Sequence, residues 1–255
     1  MTDAVTIHQP NYLYQAKVIA KILQADFHIV LDDVQFVRRE WQSRSLMYGS
    51  NWNSFWLSIP VRSKPARPLL INAHLVDAKW KAKHLRTLVF MYHKYPFFDL
   101  VYRELLVPLY SENATTVTEI GERFLRLCLS FLNANIQVVR SSQLLEPSGL
   151  KSSDLLARLC QAARRSNYVT GPGSKNYLVL EPFDRLGINV FFHDFNDCFL
   201  TNELGCQFLR HRPIPPSLRR INILDLLCYY GAGQTAKTLK TSCSSIQHYR
   251  EGSLS

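Results

Sequence analysis

The sequence predicts an α/β fold, a single domain around a mainly parallel, Rossmann-like sheet with a helical insertion at about 77–135. Two observations carry this. Short β-prone runs alternate with longer segments in which apolar residues recur at helical spacing, the pattern of a sheet flanked by helices. The opening also reads as strand, loop, helix, strand, and such a unit places its strands in parallel.

Taken in order, Val5-Thr6-Ile7 is the first strand, broken by His8-Gln9-Pro10-Asn11. Tyr14 to Ala25 is a helix with Val18, Ile19, Ile22 and Leu23 on one face, and Phe27 to Leu31 is the second strand, ending in Asp32-Asp33. Trp41 to Pro68 is irregular apart from one strand within Phe55 to Val61. Asp77 to Tyr92, Leu100 to Tyr110 and Val117 to Asn133 read as helices, and Gln137-Val138-Val139 as a short strand. Ser153 to Arg165 is amphipathic, with Asp154 in its first turn and Arg164-Arg165 in its last, complementing the helix dipole. Tyr168-Val169-Thr170 is a strand leading into Gly171-Pro172-Gly173-Ser174-Lys175; Ile188 to His193 is another, and Asn222 to Tyr230 is a helix stopped by Gly231. The domain is expected to span 1–233, leaving 234–255 as a polar, frayed tail.

The chain has 255 residues, 47% of them hydrophobic, enough for a substantial core and incompatible with a disordered chain. Thirty basic against twenty acidic residues give a formal charge of +10, which favours an anionic partner. No window is apolar enough for a membrane span, and Met1 runs into the first strand without a leader pattern, so the expected location is cytoplasmic. Six cysteines at wide, irregular spacing fit buried thiols better than a metal or disulfide framework, and no metal site is expected.

In open α/β sheets ligands collect outside the carboxyl ends of strands, which is where His8 and Asp32-Asp33 fall. His8 can act as acid/base or meet a phosphate, with Gln9 and Asn11 adding amides; a turn whose histidine merely packs explains the same residues. Adjacent residues of an extended segment point to opposite sides, so Asp33 shares a face with Gln35 and is the favoured carboxylate. An ion pair with Arg38 or Arg39 explains that run as well. Arg44 lies among further basic residues and Trp41, Trp52, Phe55 and Trp56, a composition suited to an anion. No zinc knuckle, RNP sequence or helix-turn-helix supports nucleic acid, so a small phosphorylated ligand is favoured. The loop Gly171 to Tyr177 can bring amides and Lys175 to an oxyanion, although it is neither GxGxxG nor a Walker loop and a plain strand-to-helix turn also accounts for its glycines. Trp80 and His84, four apart on one helix, share a face that could meet the crevice or form the polar edge of the helix.

Several ordered blocks resemble the WbqC-like protein family. They are His8-Gln9-Pro10-Asn11-Tyr12-Leu13, Leu31-Asp32-Asp33-Val34-Gln35-Phe36, Trp41-Gln42 with Arg44, Trp80 with Lys83-His84, the Thr170 to Leu178 loop and Ile223-Leu224-Asp225-Leu226-Leu227. The chain departs from the family pattern at Tyr14-Gln15, where Pro-Trp is usual, and at Ser43 to Leu46, where the family is rich in Asn. The resemblance implies a bacterial cytoplasmic protein associated with O-antigen, other surface-polysaccharide or natural-product biosynthesis.

Residues and resemblance together lead to the expectation of a transferase acting on an activated sugar or aminoacyl donor, a small phosphorylated or carrier-bound substrate. His8, Asp33 and His84 are the expected catalytic residues. Gln9, Asn11, Tyr12, Gln35, Arg44, Trp80, Gly171, Gly173, Lys175 and Tyr177 are expected to bind substrate. A non-catalytic nucleotide-sugar- or partner-binding protein is the alternative, followed by a HIGH-type nucleotidyltransferase, which rests on fold-level analogy. The cofactor is unknown at this level, and nucleic acid ranks last among partners.

Overall fold

The computed structural model describes residues 1–49, 53–146, 149–195, 221–241 and 243–248. The chain opens with β1 (Ala4–His8), α1 (Ala16–Ile22) and β2 (Phe27–Val30), followed by an antiparallel hairpin of β3 (Arg44–Tyr48) and β4 (Ser54–Ser58). A helical stretch follows: α2 (Lys79–Tyr92), α3 (Phe98–Val101), a π-helical turn at Tyr102–Leu106, α4 (Val107–Ser111) and α5 (Val117–Phe131). Then come β5 (Gln137–Arg140), α6 (Ser141–Leu144), α7 (Ser152–Ala162), β6 (Asn167–Thr170), a 3-10 turn at Pro172–Asn176, α8 (Glu181–Arg185) and β7 (Asn189–Phe195). The last elements are α9 (Ile223–Thr241) and β8 (Cys243–His248).

The main sheet has the order β5-β2-β1-β6-β7-β8, parallel throughout except that β8 runs antiparallel to β7. Counting only the parallel strands along the chain, the order is 3-2-1-4-5, the Rossmann-like arrangement expected from the sequence. Both faces are covered, as a parallel sheet requires. Val5, Ile7, Phe27 and Ile29 pack with Leu155 and Leu159 of α7 and Phe183 of α8. On the other side, α1, α5 and α9 share one continuous apolar cluster containing Ile19, Ile22, Phe124 and Leu226, and Leu88 of α2 belongs to it too.

Three local features fix how the segment after β1 lies. Gly121 of α5 sits against Pro10 and Asn11, where a Cβ would lie only 3.0 Å from the Asn11 carbonyl oxygen and from Pro10 Cβ, so the helix can approach only with glycine there. Leu13 is buried with φ +51, a left-handed conformation that costs a non-glycine residue free energy. Its carbonyl oxygen accepts from Asn222 Nδ2 at 2.8 Å and from Ser45 Oγ at 3.0 Å, and these bonds from two distant segments hold the loop in place.

Two expectations need correction. The stretch after Trp41 contains a second strand, β3, which pairs with β4; its mixed polar and apolar composition hides the strand because the hairpin stands outside the main sheet. Gly231 does interrupt the helix as expected, but the chain does not fray after it. Gly231 takes φ +71, placing its missing Cβ within 2.8 Å of the Phe97 ring, and the chain re-enters helix as far as Thr241. Thr235 Oγ1 donates to the Leu226 carbonyl across this kink, Leu239 is buried, and β8 then covers the edge of β7.

Candidate functional site

β1 and β6 are neighbours, but the chain leaves β1 toward β2 and leaves β6 toward β7, on opposite sides. At such a switch point the loops beyond the carboxyl ends separate and open a crevice. A cleft of about 930 Å³ lies there. His8 and Gln9 reach it from the end of β1, and Thr170, Gly171, Gly173, Ser174 and Tyr177 from the end of β6 and the turn beyond. Lys17 and Lys21 of α1, Ser152 of α7, His193 and Asp194 of β7, and Trp41 with Glu40 add further polar groups to its wall. That volume suits a ligand of nucleotide or sugar-phosphate size.

His8 is half-buried, and its Nδ1 lies 2.8 Å from the Gln9 carbonyl oxygen. A carbonyl only accepts, so Nδ1 carries the proton and Nε2 is left with its lone pair. Burial, with Lys21 and more weakly Lys17 adding to it, pushes the His8 pKa down to about 3 against the Gln9 bond, so the imidazole is neutral near pH 7. Gln9 Oε1 accepts from Gln42 Nε2 at 2.6 Å, tying the loop to the segment before β3. On the turn, Ser174 Oγ pairs with Thr170 Oγ1 at 2.9 Å and with the Gly171 carbonyl. A Cβ at Gly171 or Gly173 would meet nothing within 4 Å, so packing does not demand glycine at either.

Lys21 and His193 are not among the site residues expected from the sequence. Lys21 is buried, Nζ donates to the Ile7 carbonyl at 3.3 Å, and burial lowers its pKa to about 8. His193 is also buried and is held at a pKa of about 4 by burial and then by the Lys21 charge. Lys17 and Lys21 are one helical turn apart, a spacing that could have revealed a cationic face; His193 is hidden in a strand that otherwise reads as apolar.

Among the expected site residues, His8, Gln9, Gly171, Gly173 and Tyr177 line the cleft, and the others are not among the residues that do. His84 is buried elsewhere: its Nδ1 pairs with Tyr12 Oη at 2.7 Å, Tyr12 Oη pairs with Tyr110 Oη at 2.6 Å, and Trp80 packs on all three rings. Burial lowers the His84 pKa to about 4. Asp33 accepts from Ser141 Oγ, and Asp32 accepts from Ser141 Oγ, Ser142 Oγ and the Ser142 amide, so the two carboxylates fasten the end of β2 to α6. The strand-face argument for Asp33 fails because the chain has left β2 before either aspartate. Gln35 is exposed and bridges to Leu69 through the backbone; Asn11 packs on Gly121. Arg44 stacks on Trp56 at 3.8 Å, and the exposed Lys175 reaches toward the Phe192 ring at 5.1 Å. Trp52, Cys198 and Cys206 lie outside the described residues; Cys128, Cys160 and Cys228 are free, buried thiols.

Among the described residues there is no group of three or more His, Cys, Asp or Glu side chains placed to hold a metal ion, and no helix long and apolar enough to cross a membrane.

The sequence model for the WbqC-like protein family matches residues 9–211, which takes in Gln9, the α1 lysines, the β6 turn and His193. The chain belongs to the WbqC-like protein family. A relative in Mycobacterium tuberculosis, "Uncharacterized protein Rv1507c", is 29% identical over 230 residues, covering 89% of this chain and 94% of its own length. No solved structure matches. The WbqC-like match thus spans most of the cleft's polar wall, although His8 itself lies one residue before it.

Proposed function

We propose that this WbqC-like protein is a transferase that binds a phosphate-bearing activated donor, a sugar or an aminoacyl compound, in the switch-point cleft, and that His8 takes the proton of the attacking acceptor. The setting that the family resemblance suggests is assembly of a surface polysaccharide such as O-antigen, or of a natural product. The observation that carries the reading is the open Nε2 of a neutral His8 beside Lys17 and Lys21, across from the Gly171–Tyr177 turn. A neutral imidazole with a free lone pair is a base, and the lysines give the donor's anion its place.

The low pKa of His8 fits this division of labour. Burial depresses it most and the two lysine charges add to that, so an anion lying against the lysines cancels their part of the shift and raises the imidazole's basicity. Asp33, engaged with Ser141, has no part in this scheme, and Lys17 and Lys21 replace Arg44 and Lys175 as the cationic residues.

The test is mass spectrometry of nucleotide-sugars and aminoacyl donors incubated with candidate acceptors and the protein. Product formation is expected, falling by about 100-fold or more in His8→Ala with an unchanged circular dichroism spectrum. Saturable binding without any chemical change would instead make the chain a binding protein, and turnover unaffected by His8→Ala would remove that residue from the reaction.

A further inference from the structure

The floor of the cleft holds a charge arrangement that a folded protein does not keep without a reason. Lys21 is buried against the sheet, and the Ile7 carbonyl is its one hydrogen-bond acceptor among the described residues; no carboxylate there forms an ion pair with it. A buried cation without a counter-charge costs several kcal/mol. The groups facing it are bases: His8 on β1, His28 on β2 and His193 on β7, with Lys17 one turn back on α1. Asp194, next to His193 and exposed, attracts a proton to that imidazole only weakly against the lowering effects, and Glu40 stands exposed at the rim. His193 is 2% exposed, and its Nε2 is buried with no hydrogen-bond partner among the described residues. Buried polar atoms are almost always paired, so an unpaired one on a cleft wall marks where a ligand atom belongs.

We propose that Lys21 and His193 form a subsite for a terminal phosphate, a monoester or the outer phosphate of a diphosphate. The ammonium supplies the positive charge and two spare N–H donors; the imidazole Nε2 either accepts a hydrogen from a singly protonated phosphate or takes that proton and donates back. This distinguishes phosphate from other anions. A phosphate ester loses its second proton near pH 6 and can share it with an imidazole, whereas a carboxylate is stripped at about pH 4. A second lysine at i−4 suits a ligand with two adjacent charged groups. The subsite deepens the donor-binding reading above and rests on it only for the identity of the whole molecule.

Isothermal titration with inorganic pyrophosphate, with sulfate as the control anion, tests it in the full chain. Pyrophosphate is expected to bind with net proton uptake at pH 6.5, seen as a dependence of the heat on buffer ionisation enthalpy, and sulfate about tenfold more weakly. Lys21→Met should weaken pyrophosphate about tenfold or more, and His193→Gln should reduce the proton uptake while retaining a polar side chain. If Lys21→Met does not fold, Lys21→Gln and His193→Gln carry the test. Equal affinity for sulfate and pyrophosphate, or variants that bind as the parent does, would overturn the subsite. Pyrophosphate binding without turnover of any donor would leave the subsite standing and remove the transferase reading; His8-dependent turnover without pyrophosphate binding would do the reverse.

Discussion

His84 and His193 are both buried, both kept neutral by their surroundings, and both mounted on regular secondary structure, yet they play opposite parts. Around His84 the polar atoms find one another: Tyr12 bridges it to Tyr110, and Trp80 seals the ring cluster. At His193 the Nε2 nitrogen is buried without a hydrogen-bond partner among the described residues, in a side chain that lines a cleft also holding a buried ammonium. The first arrangement is finished and stabilises the molecule; the second is incomplete and is poised for a ligand. A histidine's environment, rather than its presence, separates structure from function.

Changing each histidine in turn should separate the two centres most clearly. His84→Ala removes the partner of Tyr12 and leaves a void among three aromatic rings, and is expected to lower stability by about 3 kcal/mol in urea unfolding without altering pyrophosphate affinity. His193→Gln, which gives up no hydrogen bond at Nε2, should cost about 1 kcal/mol or less while changing anion binding. If the two variants exchanged these signatures, the assignment of the two centres would be reversed.

Acid should act on both histidines. Both imidazoles have folded pKa values near 4 and titrate at about 6.5 when unfolded, so between those values the unfolded chain binds protons that the folded one refuses. Stability is therefore complete above pH 6.5 and is lost as the pH falls toward 4, by up to about 1.4 kcal/mol per pH unit for each group. Urea midpoints between pH 7 and pH 5 should show this slope in the parent and a shallower one in His193→Gln. An anion such as pyrophosphate should reduce the slope by supplying the charge that His193 lacks. The smallest effect is expected at Lys175: Lys175→Ala, at an exposed residue outside the cleft lining, should leave both stability and pyrophosphate affinity within error.

The parallel sheet was legible because strand and helix periodicities alternate cleanly, and the placement of His8 and the Gly171 turn followed from it, since both stand at carboxyl ends of strands. What local pattern could not supply was direction. Trp80 and His84 do share a helix face, but nothing in their spacing says whether that face meets the cleft or the Tyr12–Tyr110 cluster. Asp33 looked available because Ser141 is 108 positions away in sequence. His193 lay within a run whose apolar neighbours suggested burial alone, and Lys21 belonged to a helix judged by its apolar stripe. Gly231 does break the helix, and what its local sequence could not show is the second helical stretch beyond it, anchored by Thr235 and Leu239.

The Leu13 carbonyl oxygen is the meeting point of chain segments some two hundred residues apart, with Ser45 and Asn222 both bound to it. During synthesis the first of these is available early and the second only after most of the polypeptide has left the ribosome. The histidine-bearing loop at the amino end therefore acquires its final shape late, once the carboxyl-terminal helix has docked, and a nascent or truncated chain lacking that helix should collapse around its sheet without yet being able to capture a ligand.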